Sequence, residues 1–205
     1  MNINQDMKKN QISIPLHSPS WKEKMFFFIS GAIIGIPVNV YFHSTIIDAL
    51  IGIPPFYELL ISELILAPFI GEFAKLFGLL YRHGETEKSL FNLAILAGLG
   101  FGIVEFIILT IDRCMSLFLC FPRIFFHPFA VAITVYGLVK HQTLKYYLVA
   151  VLLHFLYNLS IFFIVPESLF ATSAAFIISI LIVLITYFFA KKLESKTKNK
   201  IYTLN

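Results

Sequence analysis

Charge is what this sequence has least of. Asp, Glu, Lys and Arg make up 14% of its 205 residues, where a soluble domain carries about a quarter. With 58% hydrophobic residues, 23 of the residues Phe and a mean hydropathy of +0.82, that scarcity excludes a soluble monomer. Cysteine is nearly absent, and two residues are too few for a disulfide framework. No H-E-x-x-H occurs, which excludes the common zinc-protease helix. No internal repeat, low-complexity stretch or pair of broken helices is visible, and this counts against a transporter built from inverted repeats. No small-residue cleavage site follows the first apolar run, so that run is expected to stay as an anchor.

What the chain does have is long apolar runs, at about 25–47, 59–81, 90–111, 124–139, 146–165 and 168–190. Runs near 20 residues match the length a helix needs to cross a bilayer. The expected fold is therefore an all-α polytopic bundle of about six transmembrane helices. A polar tail at 1–24 precedes the membrane domain at 25–190, and a basic tail at 191–205 follows it. The fourth run is short for a bilayer of about 30 Å, so it begins earlier, near Phe121, or packs inside the bundle. Orientation follows from Lys and Arg alone. With the N-terminus inside, 13 of the 16 fall in inner segments, Arg113 and Arg123 lie outside, and Lys75 stays within a span. Both termini are expected to be cytoplasmic, in a multi-pass protein of the cell membrane. The basic tail then meets lipid headgroups rather than nucleic acid. Cys114 and Cys120 lie close enough in sequence to pair, although spacing alone says nothing of geometry.

Side chains that ionise inside a span are costly and mark function by default. The second run carries Glu72 and Lys75, three apart on one helical face, with Pro68 a turn earlier to free a carbonyl. The third places Ala94, Gly98 and Gly102 at four-residue spacing, which lets another helix come close, and Glu105 one turn later. No cation lies within a turn of Glu105, so its partner must come from another helix or it stays protonated. Arg123 and His127 share a face in the fourth run, as do His154 and Asn158 in the fifth. Read as a bundle, these residues converge at or just outside the midplane. Asp48, Glu58, Glu63 and Asp112 read as interfacial, with Tyr57, Tyr146 and Tyr147 in an aromatic belt.

Two carboxyls and two imidazoles in a partly wet cavity are the parts for general acid and base activation of water, and peptide hydrolysis is the natural candidate. The same side chains, His127, His154 and Glu105, are also candidate ligands for a divalent metal such as zinc. Buried Glu, Lys and His suit a proton-coupled carrier as well. The motifs A-P-F-I-G-E-F-A-K (Ala67 to Lys75), G-F-G-I-V-E (Gly100 to Glu105), R-x-x-x-H-P-F (Arg123 to Phe129) and H-F-L-Y-N (His154 to Asn158) resemble, in order, those of PrsW-type intramembrane proteases. That family is related to the CAAX prenyl proteases and to the multispanning scaffold subunit of γ-secretase. The resemblance covers about 67–158 and implies cleavage of a membrane-anchored protein substrate. It implies catalytic roles for Glu72, Glu105, His127 and His154, with Lys75, Asn158 and Arg123 in support. Two positions depart from the pattern: Gly71 stands where the family has the first of two adjacent glutamates, and Phe106 where an Asn commonly follows the acid. Either Glu105 supplies the missing acid, or the chain keeps the bundle as a scaffold or substrate-binding relative without the reaction.

Overall fold

A computed structural model describes residues 18–80, 86–111, 116–162 and 168–200. Lys8, Lys9, Arg82, Asp112, Arg113 and Cys114 lie outside the described residues, and with Cys114 the pairing that its spacing to Cys120 allows. Cys120 is buried with a free thiol.

The described chain is helical throughout, apart from short connections and one backbone bridge at Thr86. Five helices are long and apolar enough to cross a membrane: α1 (Trp21–Ala49), α3 (Glu87–Ile111), α4 (Leu117–Val139), α5 (Thr143–Phe162) and α6 (Leu169–Glu194). Between α1 and α3 lies α2, a continuous helical run over residues 55–80 made of Pro55–Leu59, Leu60–Leu66 and Ala67–Leu80. It differs from the other five because any 18 consecutive residues of it hold at least three of Glu58, Glu63, Glu72 and Lys75. The expected second span is thus a helix, but a charged one.

Helix α1 starts four residues earlier than the apolar run. Ser20 Oγ accepts from the Glu23 amide while Glu23 Oε2 accepts from the Ser20 amide, a reciprocal cap that satisfies two otherwise orphaned donors. Two stretches widen to the π-helical turn, Gly31–Gly35 in α1 and Leu60–Leu66 in α2. Each ends two residues before a proline, Pro37 and Pro68. A proline cannot donate to the ladder, so the backbone bonds rearrange just ahead of it.

The fourth helix is the axis of the bundle. It begins at Leu117, well before the apolar run, and 72% of its most apolar stretch is buried, against 22–39% for the other long helices. Both expectations for this run hold: an earlier start and an interior position. Its residues enter all three apolar clusters, through Val131 and Val135 against α1, α2 and α3, Ile133 and Tyr136 against α3 and α6, and Phe126 and Ala130 against α5 and α6. At the end of α4 near Lys140, Glu87 is buried and accepts from Lys140 Nζ at 2.6 Å and the Lys198 amide at 2.9 Å, with Lys200 Nζ at 3.3 Å. The segment after α6 therefore folds back onto the start of α3, where the Glu87 amide also donates to Lys200 O.

Candidate functional site

The small residues of α3 set the position of the site. A Cβ at Gly98 would lie 2.6 Å from Pro128 Cα and 2.7 Å from His127 O, so the two backbones meet where only hydrogen fits. Gly102 lies against the carbonyls of Arg123 and Ile124. This contact carries Glu105 of α3 to Arg123 and His127 of α4.

From there the polar residues form one chain. Arg123 Nη1 is 3.6 Å from Glu105 Oε2, which also accepts from His127 Nε2 at 2.5 Å. His127 Nδ1 is 2.9 Å from Lys75 Nζ, and Lys75 Nζ is 2.6 Å from Glu72 Oε1. Glu72 Oε1 lies 2.8 Å from His154 Nδ1. A lysine ammonium can only donate, so His127 Nδ1 accepts, and its Nε2 carries the hydrogen given to Glu105. By the same logic His154 donates through Nδ1 to Glu72, which leaves Nε2 with a lone pair and no partner among the described residues. Six ionisable side chains from four helices are joined in sequence. Glu72 and His127 are wholly buried and Lys75 nearly so, and the Lys75 ammonium also lies 4.8 Å from the centre of the Phe101 ring.

The ends of this chain open on a cavity of about 470 Å³. Glu105, Arg123, His154 and Asn158 line it, while Glu72, Lys75 and His127 stand behind the wall. Asn158 Nδ2 donates to Glu63 O at 2.9 Å. That carbonyl is open for a traceable reason. The Ala67 amide bonds back to Ser62 O in the wide turn, and the next donor in that register would be Pro68, which has none. Proline in the second run thus acts as expected, by freeing a carbonyl, and the acceptor is claimed by α5.

All seven residues singled out from the sequence meet here. Four residues read as bland or passed over also line the cavity: Glu63, Asp48, Ser44 and Asn39. The interfacial reading of Glu63 and Asp48 placed them by depth in the membrane and gave no account of the side they face. Asn39, in α1, was missed because a single neutral amide in an apolar run gives no charge signal. Gly71 lines the cavity too, and a Cβ there would meet only His154 Cε1 at 3.6 Å and Asn39 Oδ1 at 3.7 Å, ordinary contacts.

Glu72, His127 and His154 each offer one ligand atom, and these lie within 4.8 Å of one another, close enough to hold a metal ion. The set differs from the one expected from sequence, because Glu105 bonds the far nitrogen of His127 and Glu72 takes its place. Lys75 Nζ already stands among these donors, bonded to Glu72 and His127. A dication at that point would face the ammonium at contact distance, so holding a metal there requires Lys75 to move aside. No protein-family model, curated protein or solved structure matches the chain.

Proposed function

We propose that the protein is an intramembrane endopeptidase that cleaves membrane-anchored protein substrates with water activated by His154 and Glu72. One observation carries this reading: a buried ion-pair chain that reaches the wall of a cavity through Arg123 and Glu105 at one end and His154 at the other, in a bundle with five helices apolar enough to span a membrane. The order of the four PrsW-like motifs supports it, since each contributes a residue to that chain. His154 presents Nε2 as base, and Glu72 fixes its tautomer through Nδ1, the arrangement that makes an imidazole an effective proton carrier. Water oxygen attacks the peptide carbonyl carbon as its proton passes to Nε2. The imidazolium, stabilised by the Glu72 carboxylate, then gives that proton to the leaving nitrogen as the C–N bond breaks. Lys75 neutralises Glu72 so that the acid stays ionised in the bundle, and His127 links Lys75 to Glu105. Gly71 contributes no acid, and none is required when the imidazole is the base.

Purified protein in nanodiscs with a fluorogenic single-span substrate tests this. His154→Gln should lower kcat by about 10² to 10⁴, and Glu72→Gln should follow it. Undiminished cleavage in both variants rejects the mechanism.

A metal-dependent hydrolase is the second reading, favoured by the spacing of Glu72, His127 and His154. It requires Lys75 to leave its place. Dialysis against 1,10-phenanthroline separates the two: cleavage that survives chelation supports the imidazole mechanism, and loss restored by zinc supports the metal.

A further inference from the structure

Around the cavity, polar atoms on three helices have no hydrogen-bond partner among the described residues. Arg123, about nine-tenths buried, leaves Nε–H unpaired, and Asn158, equally buried, leaves Oδ1 unpaired. The acceptor at Asn158 is fixed, because its Nδ2 is already committed to Glu63 O. The side chain of Asn39 on α1 makes no hydrogen bond with a described residue, and its Oδ1 is buried. Each such group in a buried setting is costly when unpaired, so several around one cavity point to a partner that arrives from outside. Asn39 and the imidazole border the same point of the cavity wall, since the Cβ position of Gly71 is 3.7 Å from Asn39 Oδ1 and 3.6 Å from His154 Cε1.

One guanidinium donor and two amides are neutral or charge-diffuse hydrogen-bonding groups, and they match the C=O and N–H of peptide main chain better than any one ionic side chain. We infer that Arg123, Asn39 and Asn158 form a main-chain clamp that positions the substrate at His154. In it, Arg123 Nε donates to a substrate carbonyl, and the side-chain oxygens of Asn158 and Asn39 accept substrate N–H groups. This assignment rests on the endopeptidase reading and adds to it what the substrate must present. A helix keeps its N–H and C=O groups paired within itself, so only a segment that has left the helical state can satisfy the clamp. The preferred substrate is therefore a single-span protein whose scissile stretch unwinds at low cost, with Gly, Ser or Asn in place of Leu.

The test uses a fluorescein-labelled single-span peptide of about 20 Leu and Ala residues with a central Gly-Ser pair, and the full chain in nanodiscs. Backbone esters replace one amide at a time, which deletes a single N–H. Both cleavage and equilibrium binding by anisotropy are read. One or two ester positions should weaken binding and raise KM by about threefold to tenfold, the size of one lost hydrogen bond. In Asn39→Leu the same ester should cost nothing further, because the partner is gone, and Asn39→Gln should restore the sensitivity. Arg123→Lys keeps a cation near Glu105 but has no Nε–H, and should raise KM with every peptide. The Asn39 side chain makes no hydrogen bond with a described residue, so Asn39→Leu removes none and remains informative if Arg123→Lys fails to fold. Ester-sensitive binding without cleavage overturns the peptidase and keeps the clamp. Cleavage with a flat ester profile in native protein and Asn39→Leu keeps the peptidase and overturns the clamp, leaving those groups to water. Neither binding nor cleavage overturns both.

Discussion

Lys75 is the residue on which the site's electrostatics turn. It pairs with Glu72 at 2.6 Å and meets His127 at 2.9 Å, so the buried Glu72 carboxylate has a countercharge only while Lys75 is present. Glu72 Oε2 has no hydrogen-bond partner among the described residues, which leaves Oε1 to carry the contacts seen for this carboxylate. Replacing Lys75 by Met keeps the length of the side chain and removes the charge. Breaking a buried pair from one side typically costs about 3–5 kcal/mol, and that loss is expected in the unfolding free energy of Lys75→Met measured by denaturant titration in mixed micelles. The same substitution removes the ammonium from among Glu72, His127 and His154. Zinc affinity measured by competition with a fluorescent chelator should therefore rise in Lys75→Met and be undetectable in the native chain. Tight zinc binding by the native chain would mean that Lys75 moves aside and that the metal reading is the better one. The sequence showed the i, i+3 pair and its shared face. It gave no sign that His127 would close the other side of the ammonium, because that contact joins residues 52 apart.

At the scale of the helix, two glycines within the same bundle have opposite requirements. Gly98 of α3 has backbone atoms of Pro128 and His127 within 2.8 Å of its Cβ position, whereas Gly71 of α2 has only ordinary contacts at 3.6 and 3.7 Å. Gly98→Ala must push α4 away, and overpacking of this kind costs about 1–3 kcal/mol. Gly71→Ala should instead stabilise by about 0.5–1 kcal/mol, because alanine loses less conformational freedom in a helix interior. Unfolding in SDS titration checks both signs. Cleavage should fall with Gly98→Ala, since the displaced helix carries Arg123 and His127. A destabilised Gly71→Ala would show that the wall beside His154 is closed. The spacing of Ala94, Gly98 and Gly102 made the α3 and α4 contact legible in the sequence, and the ionisable residues of four runs marked the site's members. The opposite face of α3 was not legible: Gly31 of α1 packs on Ala97 O and Gly100 packs on Phe28 O. Those glycines lie on two different helices and follow no single repeat, and α1 contributes none of the six side chains of the ion-pair chain. Asn39 was missed for the same reason.

For the whole molecule, the path of α2 decides the topology. The other five helices meet the length and apolarity of a span, but α2 carries Glu58, Glu63, Glu72 and Lys75. Charge of that density cannot face lipid, yet here much of it is turned inward. Glu72 and Lys75 are buried in the bundle, and Glu63 lines the cavity with Asp48 of α1. A helix whose charges are held inside the protein has an apolar exterior, and exposed Phe69, Phe73 and Phe77 supply it on the outer face of α2. Helix α2 is therefore expected to cross the bilayer like the others, which makes six crossings and returns both ends to one side. The distribution of Lys and Arg predicts that this side is the cytoplasmic one. Ser18→Cys and Lys196→Cys, both exposed positions at opposite ends of the described chain, placed in a background with Cys114 and Cys120 replaced by Ser, test this directly. A membrane-impermeant maleimide added to intact cells should label neither, and both should react once the membrane is opened. Labelling of one end alone from outside would mean an odd number of crossings, with α2 dipping into the membrane and returning. The cavity between α1, α2 and α5 would then have to be entered from the aqueous side, not from among lipids.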